Sequence, residues 1–464
     1  MVSQTLTLFP LTRKPTTPQA QTQISARSLM GEILMVTGLI LFACWLRVYL
    51  AQGGTFGSDV DDWITWSHAL TNGAPSTFYA RTNSDYLPGY PSILWLLGVM
   101  YPLVHSAVSH TFGWHINQMM FLVTYFKTPA IMADLATIIT IYVAGRRWAN
   151  WRRALVAASI YAINPAIIFN SARWGQVDSV SALFLVLAVV FLVEDRPFWC
   201  GFLLAVSIMT KPTALVLVPL VVVIYARQKR LKRLISALSI LAVTSLLIAW
   251  PYKPATMSSI TFILQRFTTT ATKWPVTSMN AFNLWALFNR DLRQHDMIFR
   301  PDSIHWLGLS LHTWGFVLLG ALVVVLMVVL ALIGVPDRKT QRAQVVVPIA
   351  AMLTFAFFLM LTRMHERHML PVLPLMALLC ITMRRYWPVY LVLSLDYVLN
   401  LYFAYPSVAY FPLPPLVMNN AEKLVVSLVN VATFGVCLAL FLIGPIPVVR
   451  RVLTNGRTTQ RHKP

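Results

Sequence analysis

The sequence predicts an all-α polytopic membrane protein with about twelve transmembrane helices. Three observations carry that prediction. Of 464 residues, 57% are hydrophobic and only 11% charged, whereas charged residues make up roughly a quarter of a soluble domain. The apolar residues gather in stretches of about 17–25 residues or a little less, the length that crosses a bilayer. The basic residues, 37 Lys and Arg against 16 Asp and Glu, cluster at alternate ends of those stretches. A water-soluble enzyme, a disordered chain and a disulfide scaffold are excluded together.

In chain order, the candidate spans are 30–51, 118–145, 154–170, 178–194, 199–210, 212–226, 234–250, 312–334, 344–361, 369–383, 386–402 and 424–447. The run around Thr210-Lys211-Pro212 is one apolar stretch broken by a lysine and a proline. Proline removes a helical hydrogen bond and lysine resists burial, so two short helices should meet there at one membrane face. Segment 88–106 is apolar but holds three prolines, and a surface-lying helix fits the charge pattern better than a span. With that choice, six basic clusters fall on one side: Arg13/Lys14/Arg27, Arg146–Arg153, Arg227–Arg233, Arg338–Arg342, Arg384/Arg385 and Arg450–Lys463. Together with Arg196 they amount to 23 basic residues, against only Glu32, Glu194, Asp195 and Asp337 on that face. Lys and Arg are retained in the cytoplasm, so this is the inner side and both termini lie there. The excess of +21 is therefore a topology signal, and no nucleic-acid partner is expected.

Three segments follow. Residues 1–28, polar and rich in Thr, Gln and Pro, read as a disordered cytoplasmic tail rather than a signal peptide. Residues 29–449 form a single transmembrane domain, and 450–464 a basic cytoplasmic tail. The outer face carries two long loops, 52–116 and 251–311. The four cysteines all sit in apolar runs without a CxxC pair, as small buried hydrophobes do. There is no glycine-rich nucleotide loop, which argues against a nucleotide-sugar donor.

Three polar constellations lie on the outer side. Gly57-Ser58-Asp59-Val60-Asp61-Asp62-Trp63 packs three acids into four residues. Such a cluster suits a general base or a cation site; it also suits an acidic helix N-terminus stabilised by the helix dipole. Ser171-Ala172-Arg173-Trp174-Gly175-Gln176-Val177-Asp178 joins two apolar spans. Capping by Asp178 and snorkelling by Arg173 explain part of it, but not Trp174 and Gln176 between them. Arg363-Met364-His365-Glu366-Arg367-His368 places two Arg, two His and a Glu at a bilayer boundary. That is costly unless they meet a phosphate or one another. Lys211 adds a cation at the outer end of a short helix. Lys127 and Asp134, seven apart, share a helix face in a pair that reads equally as structural or functional. Acids, cations and aromatics thus converge on one face, as a lipid-tailed anionic substrate requires.

At these residues the chain resembles the GT-C superfamily of polytopic glycosyltransferases, which use polyprenyl-phosphate-linked sugars. It is most similar to bacterial mannosyltransferases related to the GPI mannosyltransferases, and to dolichyl-phosphate-glucose-dependent glucosyltransferases. Asp59-Val60-Asp61, followed by Gly73-Ala74-Pro75 and Tyr86-Leu87-Pro88-Gly89-Tyr90-Pro91, resembles the first-loop D-x-D/E and proline-aromatic motifs. Asn164-Pro165 with Trp174–Asp178 resembles the second-loop motif, Thr210-Lys211-Pro212 with Pro219 a third block, and His365-Glu366-Arg367 the late H-E-K/R motif. The resemblance implies an inverting transfer of a hexose, mannose favoured, to a lipid-linked or envelope-glycan acceptor. Asp59 would be the general base and Asp61 its catalytic partner, with Asp62 able to replace either. Lys211, His365 and Arg367 would neutralise the leaving phosphate, and Arg173, Trp174, Gln176, Asp178 and Glu366 would shape the same substrate cleft. A monophosphate leaving group needs little charge compensation, so no cofactor is expected; a divalent metal is the less favoured alternative. Trp274, Asn280, Asn283 and Trp285 in the second loop fit an acceptor-binding role or an interfacial aromatic belt. The expected surroundings are membrane lipids, with a bacterial plasma membrane favoured because no Asn-x-Ser/Thr sequon occurs.

Two rivals compete. A transporter or flippase of lipid-linked sugars also uses about twelve spans, but its ionisable groups gather near the midplane. Here only Asp134 and Asp396 fall deep in spans. A non-catalytic partner of an envelope-assembly complex would survive loss of Asp59.

Overall fold

The computed structural model describes residues 18–52, 57–112, 117–288, 300–404, 418 and 420–443. The expectations for 1–17, for part of the second outer loop and for the basic tail lie outside the described residues. Helix α1 (Pro18–Ala51) leads into the outer loop, whose helices are α2 (Gly57–Thr71), α3 (Phe78–Arg81) and α4 (Gly89–Phe112). Then come α5 (Gln118–Trp148), α6 (Trp151–Ala162), α7 (Pro165–Ile168), α8 (Asp178–Val193), α9 (Pro197–Thr210), α10 (Val218–Arg227) and α11 (Leu231–Ala249). The second loop holds α12 (Ser259–Thr272) and a two-residue hairpin, β1 (His305–Trp306) with β2 (Leu309–Ser310). Helices α13 (Leu311–Ile333), α14 (Lys339–Met360), α15 (Val372–Thr382), α16 (Trp387–Ala404) and α17 (Asn420–Ile443) complete the chain.

Over the described residues each of the twelve candidate spans is mainly helical. Among the described residues eight helices are long and apolar enough to cross a membrane, or nine if the bent pair 151–162 and 165–174 is one span. The eight include α4. Four expected spans are shorter: α8 has 16 residues, α9 has 14, α10 has 10 and α15 has 11. Of these, α8, α9 and α15 are mostly buried. In α15 every residue from Val372 to Ile381 is buried, the signature of a helix surrounded by protein on all sides. Caps mark the turns: Asn117, Asn150, Ser258 and Ser310 each accept a backbone N–H from the first turn they precede, satisfying a donor that the helix cannot.

The four acids assigned to the inner side all meet basic residues assigned to that side. Glu32 pairs with Arg146 at 2.7 Å, Glu194 with Lys339, Asp195 with Arg230 and Arg233, and Asp337 lies 3.6 Å from Arg230. Deep in the bundle Asp134 pairs with Arg47 at 3.1 Å and accepts from Ser171. It does not pair with Lys127, whose Nζ donates to the carbonyls of Ala51 and Arg173 at 2.9 and 3.0 Å.

Helix α4 makes its contacts at the outer ends of its neighbours. A Cβ on Gly89 would lie 2.6 Å from the Met209 carbonyl carbon, so only glycine lets α4 begin against the end of α9. Ser67 donates to Leu94 O at 2.9 Å, and Tyr125 to Leu97 O at 2.8 Å. A second apolar cluster, with Trp63, Trp66, Phe78, Tyr90, Tyr125, Tyr252 and Phe262, fixes α2 and α4 over the bundle.

Candidate active site

The site is built on three breaks in helices. The first follows Asn164-Pro165. Proline interrupts the helix, and Asn164 compensates by capping Ala166 N and donating to Tyr390 and Ser394. Beyond α7 the chain makes one π-helical turn, Phe169–Trp174, which ends at Gly175 with φ of +84°. Only a left-handed residue lets the N–H groups of Gly175 and Gln176 both return to Asn170 O, at 3.0 and 2.9 Å. Trp174 and Gln176 then point at one acceptor. Their Nε1 and Nε2 donate to Asp59 Oδ2 at 2.9 and 2.5 Å.

The second break separates α9 from α10. Lys211 is extended, and Pro212 opens a 3₁₀ turn that reaches Leu217. Lys211 Nζ meets Asp178, at the start of α8, at 2.5 Å. The third is the 3₁₀ turn Glu366–Met369 between α14 and α15. Arg367 pairs with Glu366 at 3.0 Å, lies 3.9 Å from Asp178 and stacks over Trp174 at 5.8 Å. A continuous network therefore links Asp59, Trp174, Arg367, Asp178 and Lys211, drawn from all four sequence motifs.

These groups border a cavity of about 670 Å³. Asp59, Asp62, Trp174, Lys211, His365, Glu366 and Arg367 line it. Gln176 and Asp178 stand behind the wall, holding Asp59 and Lys211. Arg173 also lies behind it, with its carbonyl on Lys127. Asp61 is exposed and outside the lining. The reason is helical register: in α2, Asp59, Asp62, Trp63 and Trp66 share one face, while a residue two positions on points away. The lining also includes residues not singled out as site residues: Asn83, Asp85, Thr270, Lys273 and His312. Lys273 pairs with Asp85 at 3.2 Å. Neither carried a spacing signal, because loop 52–116 meets the end of α12 only through the fold.

Burial shapes the ionisation of the site. It raises the Asp62 carboxyl above the usual range, and the charge of Asp59 adds to this. It holds His365 and His368 well below the ordinary imidazole range, helped by Arg367 and Lys211, so both rings are neutral. Burial raises Glu366 and lowers Lys211, while their partners Arg367 and Asp178 act the other way. For Arg367 burial is overcome by Asp59 and Glu366, and the guanidinium stays charged.

The sequence profile of glycosyltransferase family 87 matches residues 100–360 of the chain, more than half of its length. The chain belongs to glycosyltransferase family 87. The matched stretch contains Trp174–Asp178 and Lys211, with Asp59 before it and His365–Arg367 after. Among solved structures the family 87 chain is similar to ArnT from Cupriavidus metallidurans bound to undecaprenyl phosphate. The identity is 18% and the TM-score 0.45, over 90% of this chain and 74% of that one. No curated protein matches it. Family membership together with its long apolar helices makes this glycosyltransferase an integral, multi-pass membrane enzyme, and the cavity is its candidate active site.

Proposed function

We propose that this family 87 enzyme transfers a hexose, mannose favoured, from a polyprenyl-phosphate donor to a lipid-linked or glycan acceptor on the extracytoplasmic face, with inversion. One observation carries the reading. A carboxylate fixed by two donors, Asp59, lines the same cavity as the largely enclosed cations Lys211 and Arg367. Asp59 takes the proton of an acceptor hydroxyl as that oxygen attacks the anomeric carbon. The bond from that carbon to the phosphate oxygen breaks, and the electron pair leaves with the polyprenyl phosphate. Lys211 and Arg367 stabilise the charge that develops there. The leaving lipid has a route as well. Leu215 and Phe316 line the cavity yet are 48% and 54% exposed, so its wall is continuous with the apolar outer surface of the bundle.

No metal takes part in this scheme. The scheme draws on the divergence of Asp59 and Asp61 along their helix, which turns the two carboxylates of the D-x-D pair away from a common point. Asp62, on the same face as Asp59, replaces Asp61 as its neighbour in the site.

The test is Asp59→Asn in proteoliposomes supplied with polyprenyl-phosphate mannose and an envelope-lipid extract as acceptor. General-base catalysis contributes roughly 10²–10⁴-fold, so kcat should fall by that factor while the protein remains folded. Wild-type turnover by the variant would sink the assignment.

A further inference from the structure

Helix α16 carries a buried polar stripe whose last member has no role in the network above. Tyr390, Ser394 and Tyr397, spaced four and three apart, share one helix face, and all three are buried. Polar groups inside a membrane bundle are costly unless each meets a partner. Tyr390 and Ser394 receive the Asn164 amide at 3.0 and 2.8 Å, at the start of the broken segment. Tyr397 takes up the segment further on. Asn170 Nδ2 donates to its phenol oxygen at 3.1 Å, and the hydroxyl donates in turn to Arg367 O at 3.2 Å.

Both ends of that bridge carry working groups. Asn170 O holds Gly175 N and Gln176 N at 3.0 and 2.9 Å, so Asn170 anchors the π turn that aims Trp174 and Gln176 at Asp59. Arg367 O also accepts from Leu370 N at 3.2 Å, closing the 3₁₀ turn on which the guanidinium stands. A tyrosine hydroxyl donates and accepts at once, so it can relay between an amide and a carbonyl, which phenylalanine cannot. Stacking of Arg367 over Trp174 joins the same two turns. A ring face tolerates sliding, however, whereas a hydrogen bond weakens steeply off its axis.

We infer that Tyr397 is a positioning residue, which sets the turn that aims Asp59 against the turn that carries Arg367. This rests on the proposed transfer, in which Asp59 acts on the attacking oxygen while Arg367 acts on the leaving one. Their separation therefore matters most in the transition state, and a misplacement of about 1 Å can cost roughly 10²-fold in rate. Donor binding depends less on that separation, because Arg367 keeps its contacts with Glu366 and Trp174.

The test is a cycle of Tyr397→Phe and Asn170→Ala in proteoliposomes supplied with polyprenyl-phosphate mannose and the same acceptor extract. The turnover is taken per folded molecule, with thermal midpoints in parallel. Each variant should lose on the order of ten- to a hundredfold in kcat and keep the donor KM. The double variant should lose no more than the larger single loss, because both changes break one bridge. Unchanged kcat in Tyr397→Phe, with or without a lowered midpoint, assigns a structural role alone and overturns the inference. So does a loss that appears in KM rather than kcat, or single losses that multiply in the double variant. Where Tyr397→Phe does not fold, Asn170→Ala breaks the bridge from its other end and is read by the same split between kcat and KM. Wild type inactive on the donor overturns the proposed function and this inference with it, whereas failure of the cycle alone leaves that function standing.

Discussion

Asp62 sets how the site responds to pH. Burial and the neighbouring Asp59 raise its pKa, so the folded protein holds this proton more tightly than the unfolded chain does. The stability it contributes is therefore full below the ordinary aspartate value of about 3.9 and is lost as pH rises through the raised value. Asp62→Asn keeps the shape and removes the charge. Its thermal midpoint should exceed wild type at pH 7, and the gap should close as the pH falls below about 3.9. A midpoint that falls at pH 7 would show that Asp62 is stabilised as a carboxylate. At this scale most of the residues that meet at the candidate cavity were legible. Asp59, Gln176, Asp178, Lys211 and Arg367 are polar residues that an apolar chain places at its breaks, and that contrast marks them. Asp61 misled because the D-x-D spacing points to position 61, whereas the period of 3.6 residues brings position 62 into the cavity. Lys273 and Asp85 could not be paired from sequence, since 188 positions separate them and no repeat relates their loops.

The π-helical turn before Gly175 is the element that aims two side chains at one carboxylate. Alanine at 175 would be forced into the left-handed region, at a cost of about 1–2 kcal/mol. Its Cβ would also lie 2.6 Å from Lys127 Cγ, on a side chain anchored at its tip by two carbonyls. Gly175→Ala should lower stability by about that amount and reduce kcat more than the midpoint shift explains, because Trp174 and Gln176 lose their aim. Equal retention of both would refute the role given to the turn. The breaks themselves were readable: Pro165 and Pro212 announce them. The π turn was not, because nothing in Phe169–Trp174 distinguishes five residues per hydrogen-bonded turn from four.

For the whole molecule, the distribution of charge was the most informative feature. Ion pairs join residues far apart in sequence, Glu32 to Arg146, Glu194 to Lys339, and Asp195 and Asp337 to Arg230, among groups assigned to one side. We propose that this side faces the cytoplasm, on the retention of Lys and Arg there. Cysteines at the exposed positions Asp61 and Thr272 should react with an impermeant maleimide on intact cells, and one at Arg338 only after permeabilisation. The opposite pattern would invert the orientation. The number of spans was harder to read. Helices α8, α9, α10 and α15 are too short to register as spans by length, and protein surrounds most of α8, α9 and α15. Inside, Arg47 and Asp134 join α1 to α5, and breaking such a buried pair from one side costs about 3–5 kcal/mol.

Under the proposed function, the coupling of Lys211 to Asp178 bears on which phosphates the site admits. Bulk phospholipids surround it at concentrations far above any scarce carrier lipid. An open pair of cations at the membrane boundary would be occupied by their headgroups most of the time. In the resting site Lys211 is paired with Asp178 and Arg367 with Glu366, so under the proposed function a phosphate gains less by entering alone than it would beside two unpaired cations. A carrier that also presents a sugar to the cavity gains more, and abundance ceases to be an advantage.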